Sequence, residues 1–211
     1  MQSQQDIWNN KKLIKVLREN GVVVMPTDTI YGIVCRAQAE SAVNRIYAVR
    51  KRNRKKPCII LIGDIAELEK FSVVLSGEQK NKLKEYWLGS PSPLPSPEGR
   101  GGNADGVDRT LPTSIVLDCP DEKFSYLHRG TKTLAFRLPA SQGLRDLLLK
   151  VGSLIAPSAN LENFPPNDNI HDAKKHFGDS VDLYVDGGVL TGKPSRLIKL
   201  RKDGSINVLR L

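Results

Sequence analysis

The chain reads as an α/β or α+β domain organised round one central sheet. Short apolar runs and helix-periodic segments alternate from end to end, the pattern of strands and helices that share a core. A length of 211 residues suits one domain, or two small ones at most. Hydrophobic residues make up 39% and charged residues 26%, enough for an ordinary core and a solvated surface. The longest apolar runs, Val22–Met25 and Cys58–Ile62, fall far short of the roughly 20 residues of a membrane span. Met1–Asn10 lacks a basic stretch followed by an apolar one, so no signal peptide is expected. The expectation is a soluble, cytoplasmic protein without a membrane partner.

In chain order, Ile7, Asn10, Leu13, Ile14 and Leu17 fall near one helical face, and Asn20-Gly21 stops that helix. Val22–Met25 is a short buried strand ended by Pro26. Ala42, Val43, Ile46 and Val49 recur at helical spacing, with Ser41 placed as the N-cap. Cys58–Ile62 is the next buried strand, and Asp64–Phe71 and Gly77–Trp87 look helical. Thr113–Asp118 and Thr133–Leu138 read as strands. Gly143–Val151 is a helix with Leu144, Leu147 and Leu148 inward. Leu154–Ala156, Val181–Val185, Ser195–Leu200 and Ile206–Leu209 complete the strands.

Leu88–Thr110 breaks this pattern. Twelve of its 23 residues are Gly, Pro or Ser, a composition of flexible, extended chain. Long segments of this kind inside a compact domain are often functional or inserted. Cys35, Cys58 and Cys119 form no C-x-x-C, so neither a disulfide framework nor a zinc ribbon is indicated. Cys58 and Cys119 lie in apolar runs and read as buried small hydrophobes. His171 and His176 miss the i, i+4 spacing of a helical metal pair, and no metal site is expected.

Net charge is +9, which favours a polyanionic partner such as nucleic acid, a nucleotide or acidic lipid, or else a solvated basic surface. Three segments offer chemistry. Pro26-Thr27-Asp28-Thr29-Ile30-Tyr31-Gly32 follows a buried strand, where ligands gather in open sheets. Its hydroxyls and carboxylate suit either a small polar ligand or a hydrogen-bonded turn. Arg45–Lys56 carries seven basic residues and no acid, more than a helix C-terminus needs. Guanidinium groups bind phosphate bidentately, so a triphosphate or an RNA backbone fits, with a solvated face as the plain alternative. Ser158 and Asn160 follow the Leu154–Ala156 strand and can point the same way. Gly187–Lys193 imitates a P-loop, but Pro194 replaces the required hydroxyl and a strand pattern follows in place of a helix.

Taken together these residues resemble the YrdC-type threonylcarbamoyladenylate synthases. The resemblance rests on Pro26–Gly32 for P-T-[DE]-T-x-Y-G, on Arg50-Lys51-Arg52 with Lys56-Pro57 for K-x-R and its following Lys-Pro, and on Arg137-Leu138-Pro139 for R-x-P. Ser158-Ala159-Asn160 matches S-x-N, and Gly187-Gly188 with Pro194-Ser195 matches the closing turn and strand. Arg50 stands where the family has Lys, and Arg196 where it often has Thr. The family's W-P-G-P-x-[TS] is interrupted here: Trp87 precedes the Pro/Ser/Gly stretch and Leu111–Val116 resumes the pattern.

The resemblance implies a single YrdC-like domain over residues 1–211 in its short form, with an insertion at 88–110. It implies a twisted mixed sheet flanked by helices around a basic cavity. The implied reaction joins L-threonine, bicarbonate and ATP into threonylcarbamoyl-AMP with release of pyrophosphate, for threonylcarbamoyladenosine modification of tRNA. ATP is then a substrate that brings Mg2+, and a downstream transferase machinery accepts the product. The reactants are mostly anions, so catalysis is charge neutralisation and alignment. Arg50, Arg52 and Lys56 are implied for the phosphates and the carbamate, and Thr29, Ser114 and Arg137 for threonine. Ser158, Asn160 and Ser195 are implied for the nucleotide, with Thr27 and Asp28 shaping the turn. Competing readings are a non-catalytic module for tRNA or double-stranded RNA, a hydrogenase-maturation carbamoyl-adenylate enzyme, and an inactive paralogue.

Overall fold

The computed structural model describes residues 7–89 and 111–211. Most of the Leu88–Thr110 stretch therefore lies outside the described residues. The sheet contains β1 (Val23–Pro26), β2 (Tyr31–Arg36), β3 (Ile59–Leu61), β4 (Thr113–Asp118), β5 (Thr133–Arg137), β6 (Leu154–Ile155), β7 (Leu183–Tyr184), β8 (Arg196–Leu200) and β9 (Ile206–Arg210). The helices are α1 (Lys11–Arg18), α2 (Glu40–Val49), α3 (Gly77–Trp87), α4 (Ser125–His128), α5 (Gln142–Val151) and α6 (Ile170–Phe177). Strand order is β7-β1-β2-β6-β3-β5-β4-β8-β9. The sheet is mixed: β1–β7, β3–β5 and β4–β8 pair parallel, and β1–β2, β2–β6, β3–β6, β4–β5 and β8–β9 antiparallel.

Side chains alternate across the sheet, as the period of 2 requires. Val24, Ile33, Ile60, Leu134, Phe136, Ile115 and Ile198 point into one core, with Phe71 and Phe124 among its aromatics. Val23, Met25, Val34, Leu61 and Leu154 point the other way, against Leu13 and Leu17 of α1 and Leu144, Leu147 and Leu148 of α5. This second layer covers the β1–β2–β6 half of the sheet. All three cysteines are buried and free.

Several predicted boundaries change. Asn10 is the N-cap of α1, accepting from Lys12 N–H at 2.8 Å, and does not sit on the helix's apolar face. Ser41 does not cap α2; the helix starts at Glu40, and Ala39 occupies the cap without a side-chain bond. Residues 65–71 form a 3-10 helix capped by Asp64. Pro26 ends β1 from inside the strand, and the strand expected over 181–185 is assigned only at Leu183–Tyr184, with Asp182 and Val185 N–H donating to Val22 O and Val24 O on either side. The periodicity assigns no element to residues 31–36 or 170–177, yet they form β2 and α6. β2 is buried on both faces, so it shows no alternation to read. The eight-residue α6 is brief and built by its context: Asn169 caps it, and Ile170, Ala173 and Phe177 reach the core. Residues after Gly187 run into β8 with no helix, as the broken P-loop pattern predicts.

Candidate functional site

On the β3–β5–β4–β8 part of the sheet, one face packs into the core and the other floors a cavity of about 500 Å3. The floor is made by alternate residues, Thr133, Ala135 and Arg137 of β5, Val116 of β4 and Leu197 of β8. The short side chains of Thr133, Ala135 and Val116 leave room that larger ones would fill. The walls are the turn after β1 (Thr27, Thr29), the basic segment before β3 (Arg52, Lys55, Lys56), the segment after β6 (Ser158), and Ser195 and Arg210.

The turn is a hydrogen-bonded unit. Thr27 Oγ1 donates to Ile30 O at 2.7 Å and lies 3.1 Å from Thr29 Oγ1. Arg137 reaches it from β5: Nη1 donates to Thr29 Oγ1 at 3.1 Å and Nη2 to Asp28 Oδ1 at 2.9 Å. The side chains of Arg137 and Asp28 are each only 6% exposed, so their charges meet nearly out of water. Burial lowers the Arg137 guanidinium from its ordinary value, Asp28 opposes that, and the nearby positive Arg210 adds to it. Arg137 Nε has no hydrogen-bond partner among the described residues. Across the turn lies the segment 186–195. The Tyr31 hydroxyl donates to Gly188 O and accepts from Gly187 N–H, both at 2.8 Å. Gly192 packs so closely that a Cβ there would stand 1.9 Å from Thr29 O.

The basic segment is aimed by the way α2 ends. Lys51 takes the left-handed conformation at φ 52°. Arg52 N–H returns to Tyr47 O at 2.9 Å and Lys51 N–H to Ala48 O at 3.0 Å. These two bonds make a Schellman ending without the usual glycine. Arg50 is thereby turned inward and is 2% exposed. Its Nε donates to Asn160 O at 2.8 Å, and its Nη2 to Ser158 Oγ at 3.3 Å and Asn160 Oδ1 at 3.4 Å. Burial, then the like charge of Arg52, pushes Arg50 down to about 10. Arg52 faces the cavity, donating to Lys56 O at 3.2 Å and Pro57 O at 2.9 Å. Tyr47 lies beneath it and donates its hydroxyl to Lys56 O at 2.8 Å.

The residues singled out from sequence therefore gather in one place, at different depths. Thr27, Thr29, Arg52, Lys56, Arg137, Ser158 and Ser195 line the cavity. Arg50, Asn160, Asp28 and Ser114 stand behind that lining. Asn160 donates to Leu161 O and Phe164 O, each at 2.7 Å, while its carbonyl side faces Arg50. Ser114 is wholly buried, its Oγ 2.8 Å from that of Ser195. Arg196 turns away from the cavity, donating to Thr113 Oγ1 at 3.0 Å. Sequence reasoning missed Lys55 and Arg210 as lining residues. Lys55 belongs to the basic run and was within reach of that signal; Arg210 is one arginine of an exposed edge strand, with nothing local to single it out.

Against known families, the Sua5–YciO–YrdC model, described as telomere recombination, matches residues 15–95 and 103–211. The break falls within the Pro/Ser/Gly-rich stretch. A threonylcarbamoyl-AMP synthase of Pyrococcus abyssi is 28% identical over 182 residues, which are 86% of this chain and 47% of that protein. The chain thus spans about half the length of that relative. The structure of P. abyssi Sua5 complexed with L-threonine superposes with a TM-score of 0.68 at 25% identity, over 95% of this chain and 52% of that one. Escherichia coli YciO shares the fold at a TM-score of 0.73 and 23% identity, over 99% of this chain and 90% of that one. Among the described residues no helix is long and apolar enough to cross a membrane.

Proposed function

Because the chain belongs to the Sua5–YciO–YrdC family, we propose that it is a threonylcarbamoyl-AMP synthase, joining L-threonine, bicarbonate and ATP with release of pyrophosphate. The observation that carries this reading is the cavity's two-sided chemistry. A buried hydroxyl–carboxylate–guanidinium turn, Thr27, Asp28, Thr29 and Arg137, faces Arg52, Lys55 and Lys56 across about 500 Å3. One wall suits a small zwitterion with a hydroxyl, the other a chain of phosphates. The similarity to a protein that binds L-threonine supports the first assignment.

In this reading bicarbonate takes up a proton and loses water to give carbon dioxide. The neutral threonine amine attacks its carbon, one C=O pair moves to oxygen, and an N–H proton passes to solvent, which gives the carbamate. A carbamate oxygen then attacks the α-phosphorus of ATP, and the bond to pyrophosphate breaks. The chain's residues bind, align and neutralise. Thr29 and Arg137 hold threonine, Arg137 taking its carboxylate. Arg52, Lys55 and Lys56 hold the phosphates and the developing charge on the leaving pyrophosphate. Ser158 and Ser195 contact the nucleotide. Arg50, Asn160 and Ser114 act from behind: Arg50 braces Ser158 and Asn160, and Ser114 orients Ser195. Mg2+ comes with ATP. The cavity wall offers cations and hydroxyls, and Asp28 is engaged by Arg137, so the ion is held by the phosphates and not by a protein cage. The product supplies tRNA modification through a separate transferase.

The test is pyrophosphate release by purified protein with ATP, Mg2+ and bicarbonate, with and without L-threonine, the nucleotide products separated chromatographically. Threonine-dependent release with a new adenylate is expected. No release, together with salt-dependent retention of RNA, is the result that the non-catalytic reading requires. We also propose that residues 88–110 are a passive insertion. A variant shortened there folds and keeps threonine-dependent release; a shortened chain that cannot fold refutes passivity.

A further inference from the structure

The basic run Arg45–Lys56 holds no acid of its own. Arg45 at its start pairs with Asp182, and residues 51–56 find their counter-charge in Glu162, far along the chain. Three bonds converge there. The Glu162 carboxylate accepts from Asn53 N–H and from Lys56 Nζ, the latter at 2.9 Å, while Glu162 N–H donates to Arg50 O at 3.0 Å. One residue thus touches the end of α2, the middle of the segment and its last lysine. Glu162 is well covered, its side chain 15% exposed, whereas that of Lys56 is 59% exposed. The two contacts differ in kind. The Asn53 bond ties a backbone amide to a shielded carboxylate and fixes the shape of the segment. The Lys56 pair is half in water, weak, and easily traded for a stronger anion. Lys56 lines the cavity and Glu162 does not.

We propose that Glu162 is a positioning residue with a second role as an exchangeable counter-ion: through Asn53 it locks residues 51–57 in shape, and through Lys56 it occupies an ammonium that a nucleotide's phosphates take over on binding. The exchange half rests on the nucleotide reading of the cavity. The lock does not. Glu162 touches no substrate in this scheme; it works through Asn53 and Lys56.

Two substitutions separate the roles. Glu162→Gln keeps an oxygen for Asn53 N–H and removes the charge opposite Lys56. Glu162→Ala removes both. Trypsin nicking at Lys51, Arg52, Arg54 and Lys55, followed by mass spectrometry of the folded protein, reads the lock without any nucleotide. Glu162→Ala nicks faster there than wild type, and Glu162→Gln does not. Isothermal titration with Mg-ATP at low salt reads the exchange. Glu162→Gln binds about 2- to 5-fold tighter than wild type, a surface pair's worth of competition removed. Glu162→Ala binds weaker than Glu162→Gln, and the gain of Glu162→Gln fades in high salt. Equal nicking of all three proteins overturns the lock. Glu162→Gln binding no tighter than wild type overturns the exchange. Wild-type protein with no affinity for Mg-ATP overturns the exchange and the nucleotide reading together, and leaves the nicking result to stand alone.

Discussion

Replacing Asp28 with Asn removes one charge from the pair at the heart of the turn and keeps its shape. The two side chains are each 6% exposed and meet at 2.9 Å. Taking one partner from a buried ion pair costs about 3–5 kcal/mol, because the survivor stays desolvated. Asn still offers Arg137 an oxygen, and a bond to a charged donor returns about 1.5–3 kcal/mol. Arg137 Nη1 also keeps Thr29 Oγ1 at 3.1 Å. The difference leaves a loss of about 2 kcal/mol. In a chain of this size that lowers Tm by about 4–8 °C. Denaturant unfolding of wild type, Asp28→Asn, Arg137→Met and the double variant supplies a complete cycle. Arg137→Met leaves Asp28 charged beside an apolar neighbour and costs more than Asp28→Asn. The double variant is milder than the sum of the singles by about 1–3 kcal/mol. Single variants within about 0.5 kcal/mol of wild type, or a cycle that closes additively, refute the view that a desolvated charge pair holds this turn.

Gly192→Ala drives a methyl against Thr29 O, where a Cβ would stand at 1.9 Å, so the 186–195 segment must shift. Loss of threonine-dependent turnover that exceeds the fall in Tm is expected, and a Tm and turnover equal to wild type contradict the close approach. Arg52→Ala lowers kcat for pyrophosphate release by about 100-fold, the usual effect of removing one fixed charge-stabilising donor; an unchanged rate takes Arg52 out of the site. Asp182 accepts from Arg45 and from Val22 N–H, both at 2.7 Å, and chiefly the Arg45 bond holds its carboxyl below the ordinary carboxylate range. A depressed folded value means stability that is present above the unfolded pKa, near 3.9, and lost as pH falls through the folded value. Asp182→Asn is therefore destabilising by about 0.5–1 kcal/mol at pH 7, a figure reduced for solvent screening. Melting curves of the two proteins should converge as the pH drops below about 4; a constant gap down to pH 2.5 would falsify the linkage.

How much of this was legible in the sequence depends on the distance between partners. Strands with one core face, such as Thr133–Arg137, announce themselves by alternation, and the same alternation marks which residues floor the cavity. β2, buried on both sides, hides in the motif that precedes it. Pro26–Gly32 and Arg45–Lys56 stand out because their composition is local. Their partners do not. Arg137 lies 109 positions from Asp28, and Glu162 lies 106 from Lys56. Only the strand order brings them together. Depth is equally hidden: Arg50 and Arg52 are two apart in one basic run, yet the left-handed Lys51 sends one behind the wall and the other into the cavity.

That division of depth explains how a site made of cations is held open. Like charges crowded into one wall repel, and desolvation makes the repulsion worse. Here the site's two buried guanidiniums are each held from a different direction, Arg137 by the β1 turn and Arg50 by the Ser158–Asn160 segment. Neither needs the other's space. Arg52 and the lysines stay nearer solvent, where water and Glu162 moderate their field. The buried pair of arginines therefore fixes the walls, and the outer cations remain free to change partners. The proposed reaction, as electrostatic catalysis, calls for this combination: groups whose positions are already set, and charges whose counter-ions are weaker than a transition state that could replace them.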